Sequence, residues 1–186
     1  MFNRNFVKFG LAALMCIGTA MSANATVVKY NFTSEHAKKA TYKGKRVVSF
    51  QSDYTPGTVI VRTDKRKLYF IVDSATVIEY GIGVGRKGFE WSGIENVSRK
   101  AEWPDWTPPA EMRERQPDIP EFMPGGPDNP LGARALYLGS TLYRIHGTAE
   151  PHTIGQAVSS GCIRMLNDDV IDLYQRVKVG AKVYVF

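Results

Sequence analysis

Eight of the ten prolines fall within residues 104–130, together with Gly125 and Gly126. Proline cannot donate to a strand ladder and breaks a helix interior, so this stretch is neither a central strand nor a long helix. A chain of 186 residues with 44% hydrophobic and 11% aromatic content has material for the core of one domain. That core must be assembled from the segments flanking the proline-rich one, which becomes a long ordered loop of the kind used as a lid or binding segment. Trp91, Trp103 and Trp106 lie in this stretch or just before it, placed either to pin the loop to the core or to line a groove.

The flanking segments read as β-structure. Val59 and Val61 alternate with Ile60 and Arg62; Leu68, Phe70 and Val72 recur at period two, and Val77-Ile78-Glu79-Tyr80 follows. Ala135 to Leu138 and Thr141 to Ile145 form another strand pair around Gly139-Ser140, and Val183 to Phe186 supplies a terminal strand. The expected architecture is mainly β, an antiparallel sandwich or barrel-like sheet. One helix interrupts it: Val170, Leu173, Tyr174 and Val177 share a face at i, i+3, i+4 and i+7. Asn167 is its expected cap and Gly180 its expected stop.

The first 25 residues have the pattern of an export signal. Arg4 and Lys8 precede a mostly apolar run from Gly10 to Met21, too short to span a bilayer, and Ala23-Asn24-Ala25 offers a small-x-small cleavage site. Cleavage there lowers the formal net charge from +6 to +4 by removing Arg4 and Lys8, and leaves Cys162 as the single cysteine. Residues 26–56 form a basic segment, expected to be a linker, and nothing in the chain suggests nucleic-acid readout. The expected location is the periplasm.

Gly83-Val84-Gly85-Arg86-Lys87-Gly88 fits G-x-G-x-x-G, but Phe89 to Gly93 has no helical pattern. A dinucleotide site needs a helix N-terminus at that point, so the nucleotide reading fails. The chemistry concentrates at Ile145-His146-Gly147-Thr148 and Ser159-Ser160-Gly161-Cys162-Ile163-Arg164-Met165. An imidazole beside a thiol makes the reactive thiolate accessible. Gly161 permits a close turn that could aim backbone N–H groups at an oxyanion, which makes the set an acyl-transfer arrangement. Arg164, two residues past the thiol, is suited to a substrate carboxylate. His152 reads as a surface residue, and no metal site is expected.

At these residues the sequence resembles the catalytic domain of the bacterial L,D-transpeptidases, whose pattern is His-Gly, a spacer, then Ser/Thr-His-Gly-Cys, often continuing to Ile/Val-Arg. The likeness runs from about Gly57 to Phe186 and includes Tyr80 to Gly85 and Asn129-Pro130-Leu131-Gly132. It implies a mainly β fold with one or two short helices, Cys162 as nucleophile and His146 as proton acceptor and donor. It also implies that the Gly147 carbonyl orients the imidazole. Ser160 departs from the family pattern, which has histidine there, and with Gly161 is the expected oxyanion element. Arg164, Tyr80 and Trp106 are the expected substrate contacts.

The resemblance implies no cofactor, peptidoglycan stem peptides as substrates, and carbapenem-type β-lactams as covalent inhibitors. The donor would be a tetrapeptide stem whose third residue is a diamino acid. The acceptor would be an amine of another stem, giving a 3→3 cross-link, or of an envelope protein. Water as acceptor would make the same site an L,D-carboxypeptidase or another cysteine hydrolase of the wall. An inert thiol would leave a wall-binding module.

Overall fold

A computed structural model describes residues 44–186; the expected export signal of residues 1–25 and residues 26–43 lie outside the described residues. Nine strands form one curled sheet in the order β1-β4-β3-β2-β11-β6-β7-β8-β10. The first four are β1 (Arg46–Ser49), β2 (Val59–Arg62), β3 (Lys67–Ile71) and β4 (Thr76–Gly81). The short β5 (Val84–Gly85) leads to the ten-residue β6 (Gly93–Glu102), and helix α1 (Ala110–Arg115) lies inside the proline-rich segment. Then come β7 (Arg134–Leu138), β8 (Arg144–His146), β9 (Ala157–Ser159) and β10 (Ile163–Arg164). Helix α2 (Asn167–Arg176) and β11 (Lys182–Val185) end the domain.

The sheet is mixed. Most pairings are antiparallel, but β11 runs parallel to β2, β10 parallel to β8, and β5 parallel to β9 in a separate two-stranded sheet. The last strand inserts between β2 and β6, so the C-terminus joins the two parts of the chain into one core. Val59, Val61, Leu68, Tyr80, Leu136, Leu138, Ile145 and Val183 are fully buried in it, roofed by Val170 and Leu173 of α2 and by Val177 just after it. Each such aliphatic side chain contributes about 1.5–3 kcal/mol relative to exposure. Ile60, Ile71 and Val77 form a smaller cluster on the reverse face with Val48 and Tyr54, which explains why β2 is buried on both sides.

Three local expectations change. The basic segment is not all linker: β1 pairs with β4, and its cations are neutralised where Lys45 meets Asp172 and Arg46 meets Glu79. β6 carries little of the period-two signal because Val97 is its one buried residue, so its polar sequence conceals the longest strand. Asn167 does not cap α2 through its side chain. Its Oδ1 instead accepts from the amides of Ala133 (2.9 Å) and Thr148 (3.2 Å), buttressing the turn that follows His146.

Candidate active site

Two isoleucines set the geometry. Ile145 on β8 and Ile163 on β10 are neighbours in the parallel register, and both are buried in the core. Successive side chains in a strand point to opposite faces. Burying these two therefore turns Arg144, His146, Cys162 and Arg164 to the other side, where all four line a cleft of about 510 Å³. The fifteen residues of chain between His146 and Cys162 are bridged by one strand pairing.

His146 is 4% exposed, and its Nδ1 lies 2.5 Å from the Gly147 carbonyl oxygen. A carbonyl only accepts, so Nδ1 carries the proton and Nε2 is the basic nitrogen. The glycine is required at position 147 because a Cβ there would meet Asn167 Oδ1 at 2.2 Å, displacing the side chain that holds the Thr148 amide. Asn129, almost fully buried, works from the loop side. Its amide donates to the Met123 and Pro124 carbonyls at 3.1 and 3.0 Å, while its Oδ1 accepts from the Leu131 amide at 2.9 Å. The sequence offered these two asparagines only as a cap and as part of a family segment.

Burial pushes the His146 pKa down to about 3, helped by the positive charges of Arg164 and Arg144 and opposed by the Gly147 and Leu131 carbonyls. Burial also pushes the Cys162 thiol up, against the opposing effect of Arg144 and Arg164. The resting pair is therefore a neutral thiol and a neutral imidazole. The thiol has a long contact to the Leu142 carbonyl, at 3.8 Å, and a hydrogen bond with Arg144.

Cys162 follows a tight turn at Gly161, whose φ is +104° and whose missing Cβ would stand 2.5 Å from Tyr143 Cε1. Trp91 stacks on Tyr143 with ring centroids 4.5 Å apart and donates from Nε1 to the Gly161 carbonyl at 2.8 Å. The Gly161 N–H is not free for an oxyanion, because it donates to Ser159 Oγ at 3.2 Å. Ser160 Oγ accepts from Arg86 at 3.0 Å, which leaves its hydroxyl proton to donate elsewhere.

The remaining expected residues divide. Trp106 lines the cleft, held by reciprocal backbone hydrogen bonds with Met123 at 2.8 Å. Arg164 lines it too, but its guanidinium is paired with Glu150 at 2.8 Å. Tyr80 does not reach the cleft: it is fully buried in the core, and its hydroxyl donates to Asp172 at 2.7 Å. Core packing at a strand end explains that tyrosine better than substrate contact. Trp103 is 45% exposed, and His152 is exposed outside the cleft. Among the described residues no cluster of three His, Cys, Asp or Glu side chains could hold a metal.

The chain is similar to known proteins. The family model described as YkuD, the L,D-transpeptidase catalytic domain, matches residues 56–185, and the chain belongs to that family. The probable L,D-transpeptidase ErfK/SrfK of Escherichia coli (strain K12) is 42% identical over 135 residues. That match covers 69% of this chain and 43% of the relative, so the chain spans less than half the relative's length. Among solved structures, the Enterococcus faecium L,D-transpeptidase catalytic domain acylated by ertapenem superposes with a TM-score of 0.54. It is 19% identical, covering 69% of this chain and 95% of its own, and shows the shared fold.

A Brucella melitensis structure described as a probable carnitine operon oxidoreductase CaiA is 44% identical, with a TM-score of 0.52. The match covers 80% of this chain and all of that one. Its name stands apart from the family. Here the Gly83–Gly88 segment passes into β6 and not into a helix, so it lacks the N-terminus that binds a dinucleotide's phosphates.

Proposed function

We propose that the chain is a peptidoglycan L,D-transpeptidase working through a Cys162 thioester. The observation that carries the reading is the turning of Cys162 and His146 to one cleft by the β8–β10 pairing, with the imidazole tautomer fixed by the Gly147 carbonyl. His146 Nε2 takes the thiol proton as sulfur attacks the carbonyl of the donor's third residue. The tetrahedral intermediate collapses by breaking the amide C–N bond, and the imidazolium returns the proton to the departing D-Ala nitrogen. An acceptor amine then attacks the thioester, gives its proton to His146, and releases the sulfur, which takes that proton back.

The acceptor is a side-chain amine of a second stem, giving a 3→3 cross-link, or an amine of an envelope protein. The Ser160 hydroxyl is the candidate oxyanion donor. The leader pattern of residues 1–25 supports export to the periplasm, where such substrates are found. Carbapenems are expected to acylate the same sulfur.

Purified protein incubated with a defined tetrapeptide and a labelled amine tests the reading. A labelled adduct, with free D-Ala released and Cys162→Ala inactive, supports it. Trimmed donor without adduct replaces transfer by hydrolysis. Full activity in Cys162→Ala removes the thioester altogether.

A further inference from the structure

Four arginines line the cleft, and three of the four stand differently from the remaining one. Arg164 is paired with Glu150, Arg86 donates to Ser160 and Ser159, and Arg115 of α1 lies over the Phe89 ring, 5.2 Å from its centroid. Arg115 also has Glu111 one helical turn away, at 4.0 Å. Arg144 has no carboxylate partner among the described residues, and its buried Nε has no hydrogen-bond partner. Its guanidinium carbon lies 5.2 Å from the centroid of the Tyr137 ring. A ring approached this way steadies the positive charge, and the guanidinium's other interaction is a hydrogen bond toward the Cys162 sulfur, so no carboxylate occupies its N–H fork.

We propose that Arg144, rather than Arg164, binds the free carboxylate of the residue expelled from the donor and so selects stems in which that residue is C-terminal. The inference rests on the transpeptidase reading and specifies its donor subsite.

The register supplies the placement. With Ile163 opposite Ile145, one step back along both strands sets Arg144 beside Cys162 on the cleft face. The carboxyl carbon of an expelled amino acid is separated from the scissile carbonyl carbon only by the amide nitrogen and one Cα. A carboxylate held by Arg144 therefore brings that carbonyl to the sulfur. A stem extended by one residue would present a neutral amide at the same point, leaving the partly buried guanidinium unpaired, which is the costly arrangement. Arg164 is the weaker candidate because a donor carboxylate would have to displace Glu150. The same position lets Arg144 act on the sulfur, where its charge and hydrogen-bonding favour the thiolate that attacks.

The test uses two tetrapeptide donors that differ only at the C-terminus, one a free acid and one a carboxamide, with Cys162 acylation followed by intact mass. The wild-type protein is expected to react with the acid about 10- to 100-fold faster, the range of one charge-assisted bidentate contact. Arg144→Gln is expected to bring the ratio near one, Arg144→Lys to restore part of it, and Arg164→Gln to lower rates without altering it. Equal rates for acid and amide in the wild-type protein overturn the proposal without any variant being needed. A preserved ratio in a folded Arg144→Gln protein also overturns it. If neither donor acylates the wild-type protein, the transpeptidase reading itself fails and takes this subsite with it.

Discussion

Two polar constellations, one half-buried around Asp172 and one in the cleft around Cys162, stand at opposite ends of the domain's logic. Around Asp172 the network is closed: Tyr80 donates to Oδ2 at 2.7 Å, Arg176 grips both carboxylate oxygens at 2.9 and 3.0 Å, and Lys45 completes the set. These partners hold the Asp172 carboxyl far below the usual carboxylate range. Around Cys162 the network is open. Among the described residues the buried Nε atoms of Arg144 and Arg164 have no hydrogen-bond partner, and the thiol has a long contact to the Leu142 carbonyl and a hydrogen bond with Arg144. A polar group left unsatisfied inside a protein costs stability unless something arrives to satisfy it. The first constellation stabilises the fold, while the second leaves guanidinium donors in the cleft that the proposed donor stem would satisfy.

Substitutions should separate the two. Cys162→Ala and His146→Gln are expected to lower transfer at least about 10³-fold, some 4 kcal/mol of barrier, as measured by adduct formation. Asp172→Ala should do the reverse. It loses about 1–2 kcal/mol of stability in urea unfolding, because it strands the Tyr80 hydroxyl while the exposed Lys45 and Arg176 are rehydrated, yet leaves activity per folded molecule unchanged. Asn167→Ala blurs the contrast usefully. Losing the acceptor for Ala133 and Thr148 should cost about 1–2 kcal/mol and slow acylation through the misplaced turn after His146, a joint loss visible when melting and rate are read on one sample.

The pH response sharpens the same comparison. Because burial holds the thiol proton on and keeps His146 neutral, iodoacetamide alkylation of Cys162 should rise about tenfold per pH unit through neutrality. A plateau between pH 5 and 7 would instead indicate a preformed thiolate–imidazolium pair. Folding stability carries the matching sign. The unfolded imidazole takes a proton near pH 6.5 and the folded one only near 3, so stability drops as pH falls through that interval. The smallest effect belongs to Tyr80→Phe, about 1 kcal/mol from one lost hydrogen bond, with donor kinetics unchanged because Tyr80 stands away from the cleft.

Legibility followed burial. Strands β2, β3 and β4 could be read because their alternating apolar side chains enter the core, and α2 because Val170, Leu173 and Val177 fall on one buried face. β6 could not, since one buried valine leaves no period to detect. The His146 and Cys162 motifs were visible because their chemistry needs particular residue types in a particular order. Arg144 carried a signal that went unused: it lies two residues before His146, and in a strand that spacing puts both on one face.

The amino-acid order by itself determined the mainly β character, the proline-rich interruption, the family and the identity of the thiol and imidazole. All of these depend on local periodicity, backbone restriction or residue chemistry. Tertiary structure alone decided that β10 lies parallel to β8, that Tyr80 belongs to the core, and that Glu150 reaches Arg164 while Arg144 has no carboxylate among the described residues. Such outcomes depend on which distant segments share one register and one cavity, and a linear pattern holds no record of partners brought together only by burying the same core.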